Sequence, residues 1–323
     1  MEEPISVAII LPVRNRWAQT CAILQQLEDQ GAIASHPVIV VDDGSTDGTA
    51  EQIRAQLPRV TLLQGDGNLW WTGAIALGMD YALGRYPQAA ILWLNDDMTL
   101  AADFMTQLQT VAQMAEHQGA IVGGVVSDRN HPDWYAFSGL VQGTPIRHPT
   151  QCRDRLNPAD TLNGNIVIIP NRVAQTLGLP DSRRFPHYGG DYEYTERAKH
   201  QGIPLRIAPQ LQATVDYQPA DVVRYLPVWM QWSLASGWRQ KWQIIQGVRS
   251  LKFHHNMWHI VNRMHLYDPQ IPRWRYEWFY LKKIGQCLTH SLLPKAKIRA
   301  KITHHCQTLA IPPDLIDVIL KPL

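Results

Sequence analysis

Apolar positions follow two rhythms along the first two-thirds of the chain. Short apolar, often β-branched runs predict strands at Ile5–Leu11, Val38–Val41, Val60–Leu63, Ala90–Leu94, Ala120–Val126 and Asn165–Ile169. Helical spacing predicts Ala18–Gln30, with Leu24 and Leu27 on one apolar face, and Thr49–Leu57 behind the capping residues Ser45-Thr46-Asp47. Gly73–Leu83, whose small residues suit close packing, and Ala101–His117 complete the alternation. Arg172–Leu179 and Asp191–Gln201, the latter ending at Gly202, are two further predicted helices. Ser127–Arg155 is rich in Pro, Gly, His and Asp and predicts a loop or hairpin. The order is that of an α/β protein with a mostly parallel central sheet, flanking helices and right-handed crossovers. Beyond Pro219 the pattern turns long, helical and aromatic, so the expected division is 1–219 and 220–323.

Composition changes this picture at one end only. With 323 residues and 45% hydrophobic positions, one large domain and a smaller piece are expected. The net charge of +2 hides an asymmetry: from Asp221 onward there are 15 Lys+Arg and 5 Asp+Glu, and before it 15 and 23. Seven of the 12 tryptophans also lie in that basic tail: Trp229, Trp232, Trp238, Trp242, Trp258, Trp274 and Trp278. Cys21, Cys152, Cys287 and Cys306 are scattered without a C-x-x-C, which suggests neither a zinc site nor a disulfide framework and fits a reducing compartment. The N-terminus lacks the basic start and small-residue cleavage site of a signal peptide, and no apolar run has spanning length. A soluble or peripheral, cytoplasmic protein is expected, at the inner face of the membrane if it meets one.

Candidate chemistry sits where two predicted strands end. Asp42-Asp43-Gly44-Ser45-Thr46-Asp47 follows Val38–Val41, and Asn95-Asp96-Asp97 follows Ala90–Leu94. Strand ends in open α/β sheets form the crevice where ligands bind. Carboxylates gathered there repel one another unless a cation or basic group offsets them, which suggests a nucleotide and a metal. Asp-Gly-Ser and Asn-Asp are also ordinary turn and cap chemistry.

These motifs, in this order, resemble those of family 2 inverting glycosyltransferases, with their GT-A fold and Rossmann-like sheet. Leu11-Pro12-Val13-Arg14-Asn15-Arg16 resembles the first-strand motif, Val40–Thr49 the nucleotide-binding motif, Asn95-Asp96-Asp97 the D-x-D motif, and Gly190-Asp191-Tyr192-Glu193 with Arg197 and Gly202 the catalytic-base helix. The resemblance spans residues 4–217, and the helical, aromatic region beyond it is a C-terminal extension. It places Pro12, Arg14, Asp42, Asp43, Asn68, Trp70, Asn95 and Asp96 at the nucleotide-sugar, with Asp43 first among candidates for the nucleobase. Asp97 is implied as the direct ligand of Mg2+ or Mn2+. Asn stands at the first D-x-D position, and Gly190 stands where the family carries Glu, which leaves Asp191 aligned with the base and Glu193 as the alternative. Asn163, Gly164, His187, Gly189 and Gly190 are implied to flank the acceptor.

Two segments depart from the pattern. In Gly67-Asn68-Leu69-Trp70-Trp71-Thr72-Gly73, Trp70 replaces a glycine and Ile75-Ala76 replace Arg-Asn, so the tryptophans either wall the donor pocket or pack in the core. In the tail, Trp229-x-x-Trp232 and Trp238-x-x-x-Trp242 have helical spacing. Such helices either pack on the body or contact a membrane surface through 220–323. Nothing specific points to nucleic acid. The expected function is metal-assisted transfer of a sugar from a UDP- or dTDP-sugar to a hydroxyl of a saccharide or lipid-linked glycan, with Asp191 as base. The alternatives are a nucleotidyltransferase and a glycan-binding or membrane-associated assembly protein on the same scaffold.

Overall fold

The computed structural model describes residues 4–267, 270, 272 and 274–323. The chain forms two compact units. The first runs to Pro186 and resumes over Gly190–Asp216; the second takes His187–Gly189 and Tyr217–Leu323. The second unit therefore begins at Tyr217, three residues before the expected 219/220 division, and also claims a tripeptide from within the first.

In the first unit the chain follows β1 (Val7–Val13), α1 (Trp17–Asp29), α2 (Ala32–Ser35), β2 (Val38–Asp42), α3 (Thr49–Gln56), β3 (Thr61–Gln64), α4 (Trp70–Arg85) and β4 (Ala90–Leu94). It continues through β5 (Thr99–Leu100), α5 (Phe104–Gln118), β6 (Ile121–Asp128), β7 (His131–Phe137), β8 (Gly139–Val141), β9 (Thr144–Pro145), β10 (Asn157–Pro158), β11 (Thr161–Leu162) and β12 (Ile166–Ile169). It closes with α6 (Asn171–Leu177), α7 (Gly190–His200) and β13 (Leu205–Val215). Among the described residues the main sheet runs β10-β13-β6-β12-β4-β1-β2-β3, with β5 on β13 and β7 on β6. Strands β4, β1, β2 and β3 are parallel; β12 lies antiparallel to both β4 and β6. A small sheet, β11-β8-β9, stands beside it.

Strand alternation sorts the core into two layers. Val7, Ile9, Leu11 and Val13 of β1 face α1 and α5, against Leu24, Leu27, Phe104 and Leu108. Ala8 and Ile10 face the other way, against Ala74, Ile75 and Met79 of α4, Val173 of α6 and Tyr194 of α7. Each large aliphatic side chain buried here contributes about 1.5–3 kcal/mol. The small residues of α4 allow a close approach: a Cβ on Gly78 would come within 2.5 Å of Ile10 Cγ2 and 3.2 Å of Val41 Cγ2. Helix α4 starts at Trp70, three residues before the predicted Gly73. The 127–155 segment contains β7, which pairs with β6, and the β8–β9 hairpin. Strand β13 was not expected, because Pro209, Gln210 and Gln212 interrupt its apolar pattern at a bulge.

The second unit is helical: α8 (Pro219–Tyr225), α9 (Val228–Leu234), α10 (Trp238–Gly247), α11 (Met257–Tyr267), α12 (Trp274–Ser291), α13 (Lys295–Thr308) and α14 (Pro313–Ile319). Val228, Trp232, Val248, Met257 and Cys287 form a core cluster there. Among the described residues no helix is long and apolar enough to cross a membrane.

Candidate active site

The site lies at the C-terminal ends of parallel strands β1, β2 and β4, where the topology leaves an open crevice. After β1, Asn15 takes a left-handed φ of 50° and ties the next loop down. Its backbone N–H donates to Ser45 Oγ at 2.8 Å, and its Oδ1 accepts from Thr46 N at 2.6 Å. Pro12 lies opposite Val41 of β2, just past the last β1–β4 pair, Ile10–Trp93. Its missing N–H therefore costs no bond to β4.

The two aspartates at the end of β2 are both buried. Asp42 Oδ1 accepts from Ser45 N at 2.9 Å, an Asx turn that starts the loop. Asp43 gathers three backbone donors: Gly67 N at 2.9 Å and Leu69 N at 3.0 Å on Oδ1, and Trp70 N at 2.8 Å on Oδ2. Those N–H groups lead into helix α4 and include its first, on Trp70, so the carboxylate caps the helix start and meets its dipole. Arg14 Nη1 stands 3.5 Å from Asp43 Oδ2 and also donates to the Gly67 carbonyl. Asn68 is exposed at the tip, its N–H on Asp66 Oδ1 at 2.9 Å. Trp70 holds a φ of 58°, a strained value for a tryptophan.

After β4, the three D-x-D-like residues meet three different environments. Asn95 Oδ1 accepts from Trp71 Nε1 at 2.8 Å, and its amide donates to Asn165 Oδ1. Asp96 is 3% exposed; Thr20 Oγ1 donates to its Oδ2 at 3.0 Å, and Arg16 Nη1 lies 3.2 Å from its Oδ1. Burial, with the neighbouring Asp97 charge, pushes the Asp96 carboxyl up to about 6, against the pull of Arg16. Asp97 is exposed, with Arg16 Nη2 2.9 Å from its Oδ2. Burial alone would weaken the Arg16 proton, but Asp96 and Asp97 outweigh it and raise its pKa.

Asp191 reaches this region from the first turn of α7. Its Oδ2 accepts from Gly164 N at 2.9 Å and its Oδ1 from Tyr192 N, also at 2.9 Å. A Cβ on Gly164 would meet the Trp71 ring at 2.6 Å and Asp191 Cβ at 3.0 Å. A Cβ on Gly190 would strike Thr72 of α4. Asn163 Oδ1 accepts from Asn165 N at 3.1 Å and so shapes the turn before β12. The Trp71 ring stands edge-on to Trp93 at 5.6 Å, and Trp93 to Tyr194 of α7 at 5.1 Å. Of the two expectations for the tryptophans, core packing describes Trp71, whose indole N–H also braces Asn95.

Glu193 lies in the same first turn of α7. It is 1% exposed, paired with Arg197 Nε at 2.7 Å, and accepts from Asp181 N at 3.4 Å. Arg197 further donates to the carbonyls of Leu177 and Leu179, pinning α7 to the end of α6. The alternative candidate for the base is therefore held in a buried ion pair. His187 and Gly189 belong to the second unit. Burial lowers the His187 pKa, with Arg224 and Lys252 adding to the effect, and Gly189 lies hard against the His259 ring.

Sequence reasoning assigned no role to Arg16, Thr20 or Asn165 individually. Arg16 left a signal: a cation ending the first strand motif offsets carboxylates expected to converge nearby. Among the described residues no cluster of three or more His, Cys, Asp or Glu side chains could hold a metal ion. Exposed Asp97 with buried Asp96 still suits Mg2+ or Mn2+, which use one or two carboxylates and take their remaining ligands from phosphates and water.

The family model for Glycosyl transferase family 2 matches residues 8–168. Over that segment the chain resembles glycosyl transferase family 2. The low-salt glycan biosynthesis hexosyltransferase Agl10 of Haloferax volcanii is 22% identical over 173 residues, 50% of this chain and 53% of the relative. The chain thus spans about half the length of that curated relative. Among solved structures, the mannosyltransferase PcManGT of Pyrobaculum calidifontis, in complex with GDP-Man and Mn2+, aligns over 99% of this chain and 87% of its own, at 14% identity and a TM-score of 0.50. GalNAc-T7 with UDP, GalNAc and Mn2+ aligns over 91% and 59%, at 12% identity and a TM-score of 0.53. TarS of S. aureus aligns over 98% and 55%, at 13% identity and a TM-score of 0.51. These likenesses define the fold as GT-A.

Proposed function

We propose that the protein is an inverting glycosyltransferase that moves a sugar from a UDP- or dTDP-activated donor to a hydroxyl of a saccharide or lipid-linked glycan. The observation that carries this reading is the chain of contacts from Asn95 through Trp71 and Gly164 to Asp191. It ties the D-x-D-like strand end to a carboxylate at the head of α7. Asp191 takes the proton of the acceptor hydroxyl, the acceptor oxygen bonds to the anomeric carbon, and the bond from that carbon to the diphosphate oxygen breaks. Two backbone N–H donors fix the orientation of the base. Asp97, with Asp96 behind it, would hold Mg2+ or Mn2+, which when bound offsets charge on the departing diphosphate. The Mn2+ named with PcManGT and with GalNAc-T7 supports this assignment. Arg16 supplies a second positive charge to the same carboxylates. Asp42 and Asp43 shape the nucleobase side, Asp43 by holding the Gly67–Trp70 backbone, with Pro12, Arg14, Asn68 and Trp70 around it. Asn163, Gly164 and Gly190 line the acceptor side.

The test is nucleoside diphosphate release from a panel of nucleotide-sugars and acceptors with Mn2+. Asp191→Asn and Asp97→Ala should each abolish release while leaving thermal unfolding within a few degrees of the parent. Full turnover in either variant removes its assigned role. Pyrophosphate release would favour nucleotidyl transfer, and donor binding without turnover would favour a binding protein. All four cysteines are free, in keeping with a cytoplasmic site of action.

A further inference from the structure

Helix α12 is apolar on two faces. One face is used inside the second unit: Tyr276 and Tyr280 pack on the cluster around Val228 and Trp232, Cys287 is buried, and Trp232 Nε1 donates to Ser291 Oγ at 2.8 Å. The other face is open. Trp274 is 60% exposed, Trp278 47%, Leu281 64%, Leu288 58%, and Leu292, one residue beyond the helix, 85%. With Gly285 between them, these positions follow i, i+4, i+7, i+11, i+14 and i+18, one continuous stripe. At 1.5 Å per residue it runs about 27 Å. Single exposed leucines are ordinary on soluble proteins, whereas an uninterrupted row of this length marks an interaction surface.

Charge selects the partner. Lys282 Nζ lies 5.1 Å from the Trp278 ring centroid, and exposed Lys295, Lys297 and Arg299 follow the stripe. Glu277, on the adjacent turn, is paired with Arg249 at 2.8 Å. Residues 221–323 carry 15 Lys+Arg against 5 Asp+Glu. A second copy of the chain would set two such basic regions against each other, while an anionic bilayer complements them.

We propose that this stripe docks the protein onto an anionic lipid surface, with α12 lying in the plane of the interface. Trp274 and Trp278 seat their indoles at headgroup level, the leucines enter the acyl boundary, and the lysines reach lipid phosphates. The helix does not meet the requirements of a span. The proposal concerns the second unit alone and stands apart from the sugar-transfer reading.

Sedimentation of the full chain with vesicles tests it. Binding to phosphatidylcholine–phosphatidylglycerol vesicles should be about tenfold or more tighter than to phosphatidylcholine alone and should weaken with salt. Brominated anionic lipid should quench the wild-type tryptophan fluorescence, a readout that needs no variant. Trp278→Ser/Leu281→Ser/Leu288→Ser should lose about tenfold or more of the binding, with unchanged nucleoside diphosphate release on a soluble acceptor. Lys282→Glu/Lys297→Glu should remove the anionic preference. Absence of vesicle binding, absence of quenching, equal binding by the serine variant, or a wild-type dimer that this variant makes monomeric would each overturn the proposal.

Discussion

Asp43 is held by groups that lie far along the chain. Its three donors sit 24 to 27 residues later, in a segment that folds back beneath the β2 end. Asp43→Asn replaces one acceptor oxygen with a donor that faces an N–H. The variant should lose about 1–3 kcal/mol in urea unfolding and bind nucleotide more weakly. Gly164 is the second sensitive residue. Gly164→Ala drives a methyl against the Trp71 ring and Asp191 Cβ. Overpacking of this kind costs about 1–3 kcal/mol, and turnover should fall more than stability because the base moves. Sequence pattern marked Asp43, Asp97 and Asp191 as acidic groups at strand and helix ends. It did not mark Arg16 as the partner of Asp96 and Asp97, since an ion pair across 81 positions depends on the β1–β4 adjacency.

Helix α7 carries two acidic residues with opposite duties. Asp191, in its first turn, faces β12, while Glu193 turns inward to Arg197. Breaking a buried ion pair costs about 3 kcal/mol. Glu193→Gln should therefore lower the unfolding midpoint while the folded fraction keeps near-parental turnover; Asp191→Asn should do the reverse. Measuring both quantities on each variant separates the two roles. The elements legible in the sequence are those with uniform surroundings. Strands β1, β2, β4 and β6 are buried on both faces and read as continuous apolar runs. Strand β13 has mixed burial and a bulge, so its pattern breaks at Pro209-Gln210. The start of α4 was hidden because its cap is a distant carboxylate rather than a local Ser or Asp.

Across the whole molecule, titration should act first on the second unit. His254, His255 and His259 are largely buried, and burial lowers their pKa from 6.5 to about 3, about 4 and about 4 respectively; Lys283 adds to all three effects, and Arg224 and Arg263 to those at His254 and His259. Between about pH 4 and 6.5 the unfolded chain binds protons that the folded chain refuses, so stability rises with pH through that window and levels off above it. Thermal unfolding followed by tryptophan fluorescence should therefore fall in midpoint from pH 7 to pH 5, with early cleavage in residues 217–323 under limited proteolysis. The α/β body and helical tail were both legible from periodicity. The exchange of His187–Gly189 was not, because three residues carry no period. That tripeptide has a genetic consequence. Gly189 is fitted to the His259 ring, and Tyr188 stands edge-on to His254 at 5.2 Å. A recombination point after residue 216 would give each of the two reciprocal descendants a second unit with its tripeptide from one parent and its helices from the other. The two units are not interchangeable cassettes, and natural exchange should move them together.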